Sequence, residues 1–268
     1  SGFFEELAEG IEEKDSAVCV GLDPVPERVP DGMSVLEFNR RIIDATGDVA
    51  VAYKPNAAFY EALGVEGWEA LLETIEYAQA HAPVVLDCKR GDIGSSSRRY
   101  AGLVDTADAV TVSPYMGYDS LKPFLDREDK GVFVLCRTTN SGAENFQELS
   151  CSGVDNSDDD KPLYLHVAER CVEWNANSNI GLVVGATAPD EMERVRNHAD
   201  DLPFLVPGVG AQGGDVEAAV EHGLNSEGVG VVNSTRSIIY AHEEGGDVGD
   251  AAREAAKSLR RELNKYRS

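Results

Sequence analysis

The segment Val85-Leu86-Asp87-Cys88-Lys89-Arg90-Gly91-Asp92 brings two carboxylates and an amine together directly behind a short apolar run. In an extended strand, residues two apart leave the same face, so Asp87 and Lys89 point together into whatever space that face meets. Apolar packing would leave both unpaired, so the space must hold solvent or a ligand. An ammonium held beside a carboxylate keeps its proton and can deliver it to a reacting atom. The acid holds the amine in place and repels an anion brought against it. A salt bridge that only caps the strand would use the same residues.

Further candidates stand at the ends of other apolar runs: Asp23, Lys54, Thr111, Pro207, Gln212 and Arg236. Asp23, Lys54, Asp87 and Lys89 are formally balanced in charge, which keeps both lysines protonated and both acids ionised. The run 208–214 supplies Gly210, Gly213 and Gly214 with free backbone N–H groups, and Asn233-Ser234-Thr235-Arg236 adds a guanidinium fork; together they suit a phosphate dianion. Glycine also serves tight turns, so the pairing with Arg236 is what gives the glycines weight.

Residues so far apart need a scaffold that gathers strand ends at one mouth. Apolar runs at 16–22, 49–55, 81–86, 109–113, 131–136, 180–185, 204–207 and 228–233 read as buried strands, the third running on into Asp87 and Lys89. Helical periodicity fills 34–46, capped by Ser34, and 66–80, 96–106, 119–126, 162–176, 189–198, 215–222 and 248–264. An amphipathic helix at 1–15, with Phe3, Phe4, Leu7 and Ile11 on one side, comes first. Eight strand signals, each followed by a helical one, predict a (β/α)8 TIM barrel with an N-terminal helix, and the absence of any linker predicts a single domain over 1–268. An open doubly wound sheet is the competing arrangement. It lacks a Gly-x-Gly-x-x-Gly fingerprint after the first strand and would not need polar residues around a whole rim. The polar stretch 137–160 is the one long connection, of the kind used for lids and binding loops.

Composition narrows the partners. Forty-eight acidic against 24 basic residues give a net charge of −24, which opposes nucleic acid and anionic membranes and fits a surface adapted to high salt. An anionic substrate would need a local basic grip. No run of 18 apolar residues and no signal-peptide pattern occurs, so a soluble, unexported chain is expected. Five scattered cysteines fit a reducing cytoplasm. His81, His166, His198, His222 and His242 lack ligand spacing, so no metal is expected.

Taken together, Gly21-Leu22-Asp23-Pro24, Tyr53-Lys54-Pro55-Asn56, Leu86-Asp87-Cys88-Lys89-Arg90-Gly91-Asp92, Val183-Val184-Gly185-Ala186-Thr187, the 207–214 run and Asn233-Ser234-Thr235-Arg236 resemble orotidine 5′-phosphate decarboxylases of the longer bacterial and archaeal type, in unbroken order from about 17 to 240. The Asp-x-Lys-x-x-Asp motif alone is shared with related barrels acting on sugar phosphates; the Lys-Pro-Asn segment and the Gln212/Arg236 pair sharpen the match. The resemblance implies decarboxylation of orotidine 5′-monophosphate to uridine 5′-monophosphate without a cofactor, with Asp87 beside the departing carboxylate and Lys89 protonating C6. It implies that Asp23, Lys54 and Asn56 bind the substrate, that Gln212 and Arg236 hold its phosphate near Pro207, and that Thr139 reaches the pyrimidine. Asp92, assisted by Ser96, is expected to cross into the partner's site in a homodimer. Ser96 stands where the family commonly has threonine and Thr139 where it has serine; both keep a hydroxyl. A metal-dependent sugar-phosphate lyase and a non-catalytic nucleotide-binding barrel are the alternatives.

Overall fold

The computed structural model describes residues 2–153, 160–210 and 214–267. In chain order its elements are α1 (Phe3–Lys14), β1 (Val18–Gly21), α2 (Val35–Thr46), β2 (Ala52–Lys54), α3 (Ala57–Glu61), α4 (Gly64–Gln79), β3 (Val85–Arg90), α5 (Gly94–Ala101), β4 (Ala109–Val112), α6 (Tyr118–Leu125) and β5 (Gly131–Arg137). There follow β6 (Ser150–Cys151), β7 (Lys161–Pro162), α7 (Leu163–Trp174), β8 (Ile180–Val184), α8 (Pro189–His198), β9 (Phe204–Val206), α9 (Val216–Glu221), β10 (Val231–Ser234), α10 (Arg236–Ile239) and α11 (Val248–Asn264).

Eight of the strands pair in parallel in the order β2-β1-β10-β9-β8-β5-β4-β3. The two ends of that order meet through bridges from Tyr53 to Val84 and Asn56 to Asp87, with Tyr53 N donating to Pro83 O at 3.0 Å and Asp87 N to Pro55 O at 2.9 Å. The result is a nearly closed (β/α)8 barrel. Period-two alternation divides its strands between two apolar layers. Val20, Tyr53, Leu86, Val110, Val134, Leu182, Val206 and Val232 pack toward the helices. Cys19, Ala52, Val85, Ala109, Phe133, Val183, Leu205 and Val231 fill the interior.

α1 plugs the N-terminal end of this interior. Phe3, Leu7 and Ile11 join the inner cluster, each burial stabilising by about 1.5–3 kcal/mol. Phe3 and Phe4 meet Phe133 edge-on at 5.9 and 5.4 Å. Gly131 makes room for this, since a Cβ there would lie 2.3 Å from the Phe3 ring. With one end sealed by hydrocarbon, polar groups are left to the other.

Several boundaries differ from the expectations above. The 49–55 run pairs as a strand only over Ala52–Lys54, because 46–50 form a turn and Pro55 has no N–H for the ladder. The 228–233 strand begins at Val231, after Gly228 (φ 76°) and Gly230 (φ 157°). The 96–106 helix starts earlier and ends at Ala101, continuing as a 3-10 turn, Gly102–Asp105. Ser34 does cap α2: its hydroxyl accepts from Glu37 N at 3.1 Å while Ser34 N donates to the Glu37 carboxylate at 2.7 Å. The 137–160 connection contains a 3-10 turn, Ser141–Asn145, and leads into the small antiparallel β6–β7 pair.

Candidate active site

The site is built where inward-facing positions run out of hydrocarbon. Lys54 ends β2 and Asp87 faces it from β3, with Lys54 Nζ 2.8 Å from Asp87 Oδ2. The other carboxylate oxygen takes Lys89 Nζ at 2.7 Å and the Thr111 hydroxyl at 2.8 Å. Lys54 and Asp87 are buried, whereas the Lys89 side chain is 47% exposed and free to meet a ligand. Burial works against ionisation of Asp87, but Lys54 and Lys89 outweigh it and hold the carboxyl well below the usual range. Burial likewise opposes the Lys54 charge, and Asp87 and Asp23 reverse the effect and hold its ammonium above the ordinary value. Burial raises the Asp23 carboxyl, with Lys54 and the Asn56 amide pulling it back; Asn56 N donates to Asp23 Oδ1 at 3.0 Å.

A cavity of about 370 Å³ opens against this row. Asp23, Lys54, Asn56, Asp87, Pro207 and Arg236 all line it, bringing together six of the residues selected from the sequence. Arg236 opens α10, is exposed, and makes no ion pair among the described residues. Asn56 spends its side-chain oxygen capping α3, accepting from Ala58 N at 3.1 Å. Lys89 does not line the cavity itself; it is tied to the wall only through its contact with Asp87. Gly210 (φ 83°) and Gly214 border a neighbouring cavity with Ser234 and Ser237, and Gly214 N donates to Gly208 O at 2.9 Å. Gln212 and Gly213 lie outside the described residues.

Asp92, Ser96 and Thr139 are also absent from the cavity wall, as are Lys89 and Thr111. Asp92 accepts from its neighbour Ile93 N at 2.7 Å, and Ser96 is exposed on α5. Thr139 stands on the loop after β5, its carbonyl accepting from the Thr187 hydroxyl at 3.1 Å. Gly185 leaves it room, since a Cβ there would lie 2.6 Å from the Thr139 methyl.

The sequence reading missed part of the wall: Val25, Arg28, Phe59, Ser237 and Tyr240. The Arg28 guanidinium lies 3.6 Å over the Tyr240 ring and forks onto Glu243 at 2.8 and 2.6 Å. The Tyr240 hydroxyl accepts from Val25 N at 2.8 Å. Tyr240 was within reach of sequence reasoning, because four residues on from Arg236 is one helical turn. Arg28 carried no such signal. Among the described residues, no group of three His, Cys, Asp or Glu side chains is placed to hold a metal ion, and no helix is long and apolar enough to cross a membrane.

A sealed (β/α)8 barrel with a charged network and an arginine-lined cavity at its C-terminal mouth defines a barrel enzyme. Residues 16–251 match the family model described as Orotidine 5′-phosphate decarboxylase / HUMPS family, and the chain belongs to that family. An orotidine 5′-phosphate decarboxylase of Natronomonas pharaonis is 56% identical over 277 residues, covering 99% of both chains. Among solved structures, Leishmania donovani OMP decarboxylase superposes with a TM-score of 0.85 at 42% identity, covering 99% of this chain and 98% of that one. Leishmania donovani UMP synthase gives 0.86 at 44% identity, and this chain spans 56% of its length.

Proposed function

We propose that the chain, as a single catalytic domain in the cytoplasm, converts orotidine 5′-monophosphate to uridine 5′-monophosphate and carbon dioxide in pyrimidine nucleotide biosynthesis. The observation that carries this reading is the Lys54–Asp87–Lys89 network, of which Lys54 and Asp87 line the same cavity as Arg236, a guanidinium with no ion pair among the described residues. The bond from C6 to the carboxylate breaks and leaves its electron pair on C6. The Lys89 ammonium stabilises that carbanion, donates a proton to it, and regains one from solvent. Asp87, kept ionised by its two lysines, stands beside the substrate carboxylate, and their repulsion is relieved as carbon dioxide departs.

Asp23 and Lys54 bind ribose hydroxyls, with the Asn56 amide nitrogen beside them. The phosphate takes Arg236, Gln212 and the backbone N–H groups of Gly210 and Gly213, with Pro207 shaping the approach; the Gly214 N–H, engaged with Gly208 O, would have to be released to join them. Thr139 reaches the pyrimidine from its loop. Binding energy gathered at the phosphate, remote from C6, is available for closing loops over the reacting ring. Asp92 and Ser96, neither of which lines its own cavity, serve the partner's mouth in a homodimer. This is supported by the exposure of Ile93, Tyr115 and Met116 on the neighbouring loops and of Tyr118 at the start of α6.

The reaction so written uses no metal or other cofactor. Loss of orotidine 5′-monophosphate, followed by absorbance in the presence of excess chelator, tests it. Full turnover with chelator supports the proposal. Turnover that collapses and returns with magnesium would point to the metal-dependent sugar-phosphate barrels, and tight uridine 5′-monophosphate binding without turnover to a non-catalytic nucleotide binder.

A further inference from the structure

β3 and β4 pair regularly at their beginnings and then slip. Leu86 stands opposite Val110 and Arg90 opposite Val112, so β3 carries two more residues than β4 across the interval that contains Asp87 and Lys89. Lys89 absorbs the excess with φ 46°, a left-handed backbone that a lysine seldom adopts. The ladder cannot serve the backbone there, and Thr111 takes its place with its side chain. Lys89 N donates to Thr111 Oγ1 at 3.0 Å, and the same hydroxyl donates onward to Asp87 Oδ1 at 2.8 Å. The Thr111 carbonyl accepts from the Cys88 thiol at 3.5 Å, and backbone pairing resumes when Ser113 N donates to Arg90 O at 2.9 Å.

One hydroxyl therefore fastens both the backbone of Lys89 and the carboxylate that its Nζ reaches. Its single proton goes to Asp87, so its lone pairs face the Lys89 amide, and the two roles do not compete. Thr111 is buried, 1% exposed, and does not line the substrate cavity. Without that hydroxyl the Lys89 amide would lose its partner in the bulge and the Asp87 carboxylate one of the contacts that fix it, so Thr111 holds both ends of the Lys89–Asp87 pair.

We infer that Thr111 is a positioning residue that holds the bulge of β3 and so aims the Lys89 ammonium. The inference rests on the reading of Lys89 as proton donor, and its test separates the two. Thr111→Val keeps the shape and removes the hydroxyl; Thr111→Ser keeps the hydroxyl. With orotidine 5′-monophosphate as substrate, Thr111→Val should lose about 10- to 100-fold in kcat, the worth of a hydrogen bond to a charged group, with KM within about threefold of wild type. Thr111→Ser should return kcat to within about threefold. Amide hydrogen exchange at Lys89, followed by NMR, should quicken in Thr111→Val and return to the wild-type rate in Thr111→Ser, while protection elsewhere in the barrel is unchanged. Wild-type kcat in Thr111→Val, equal kcat losses in both variants, unchanged exchange at Lys89, or exchange that quickens throughout the barrel would each overturn the inference. A wild-type chain that does not decarboxylate the substrate would instead remove the functional reading, and the exchange measurement would still decide whether Thr111 holds the bulge.

Discussion

Replacing Lys54 by methionine keeps the length of the side chain and removes its charge, which isolates what the ammonium contributes. Lys54 Nζ lies 2.8 Å from Asp87 Oδ2, with 7% and 9% of the two side chains exposed. Removing one member of a buried pair costs roughly 3–5 kcal/mol, because the other charge stays behind in a poorly solvating place. Asp87 would retain Lys89 at 2.7 Å and Thr111 at 2.8 Å, so the lower end, about 3 kcal/mol, is expected at pH 7. The pH dependence follows from the direction of the Asp87 shift. Burial tends to raise that carboxyl, and Lys54 followed by Lys89 more than reverses it. A depressed folded value contributes stability that is present above the unfolded value, about 3.9, and is lost as pH falls through the folded one. Lys54→Met moves the folded value upward, so the variant carries less of this contribution at neutral pH. The gap to wild type should narrow on acidification, because Asp87 protonates in the variant at a higher pH than in the wild type. Urea unfolding followed by tryptophan fluorescence, from pH 7 downward at one high salt concentration, measures the gap while screening the −24 net charge equally in both proteins. A deficit under about 1 kcal/mol at pH 7, or one that widens on acidification, would refute the reasoning.

Lys89→Ala should reduce kcat by about 10²–10⁴-fold while uridine 5′-monophosphate still binds; retention of more than about a tenth of wild-type kcat would exclude Lys89 as the proton donor. Arg236→Ala should lower kcat/KM for orotidine 5′-monophosphate much more than for unphosphorylated orotidine, and equal losses on the two substrates would place the guanidinium elsewhere. Co-refolding Lys89→Ala with Asp92→Ala should recover roughly a quarter of wild-type activity per site, because about half the dimers are hybrids, each with one intact shared site. Separately folded and mixed proteins are the control, and absence of recovery despite hybrid formation would return Asp92 to its own subunit. Gly131→Ala should destabilise the chain by about 1–3 kcal/mol through overpacking against Phe3, read as a lower urea midpoint, and an unchanged midpoint would mean that α1 yields freely.

Composition and local pattern were enough to specify the barrel, the eight strand signals, the capped α2 and the charged row. A period of two or 3.6 residues records which face is buried within a single element, and Asp87 and Lys89 lie close enough in sequence to suggest their pairing, although a bulge and not regular alternation brings them together. The paired lengths of the strands were not legible in the same way. Whether 49–51 or 228–230 join the ladder depends on neighbours far away in the chain and on glycine conformations that apolar content does not report. Tertiary structure also decided what meets across the mouth. Tyr240 reaches Val25 over 215 residues, and Arg28 joins the same wall from a turn with no periodic signal. The helix expected at 1–15 was readable as amphipathic, but only the closed barrel makes its apolar face a plug. Lys89 shows the division within one residue: its chemistry was plain from its type and spacing, while its aim depends on a strand slip and on a hydroxyl 22 positions further along the chain. Side-chain chemistry is carried by each residue alone, whereas register is a property of pairs that only folding brings together.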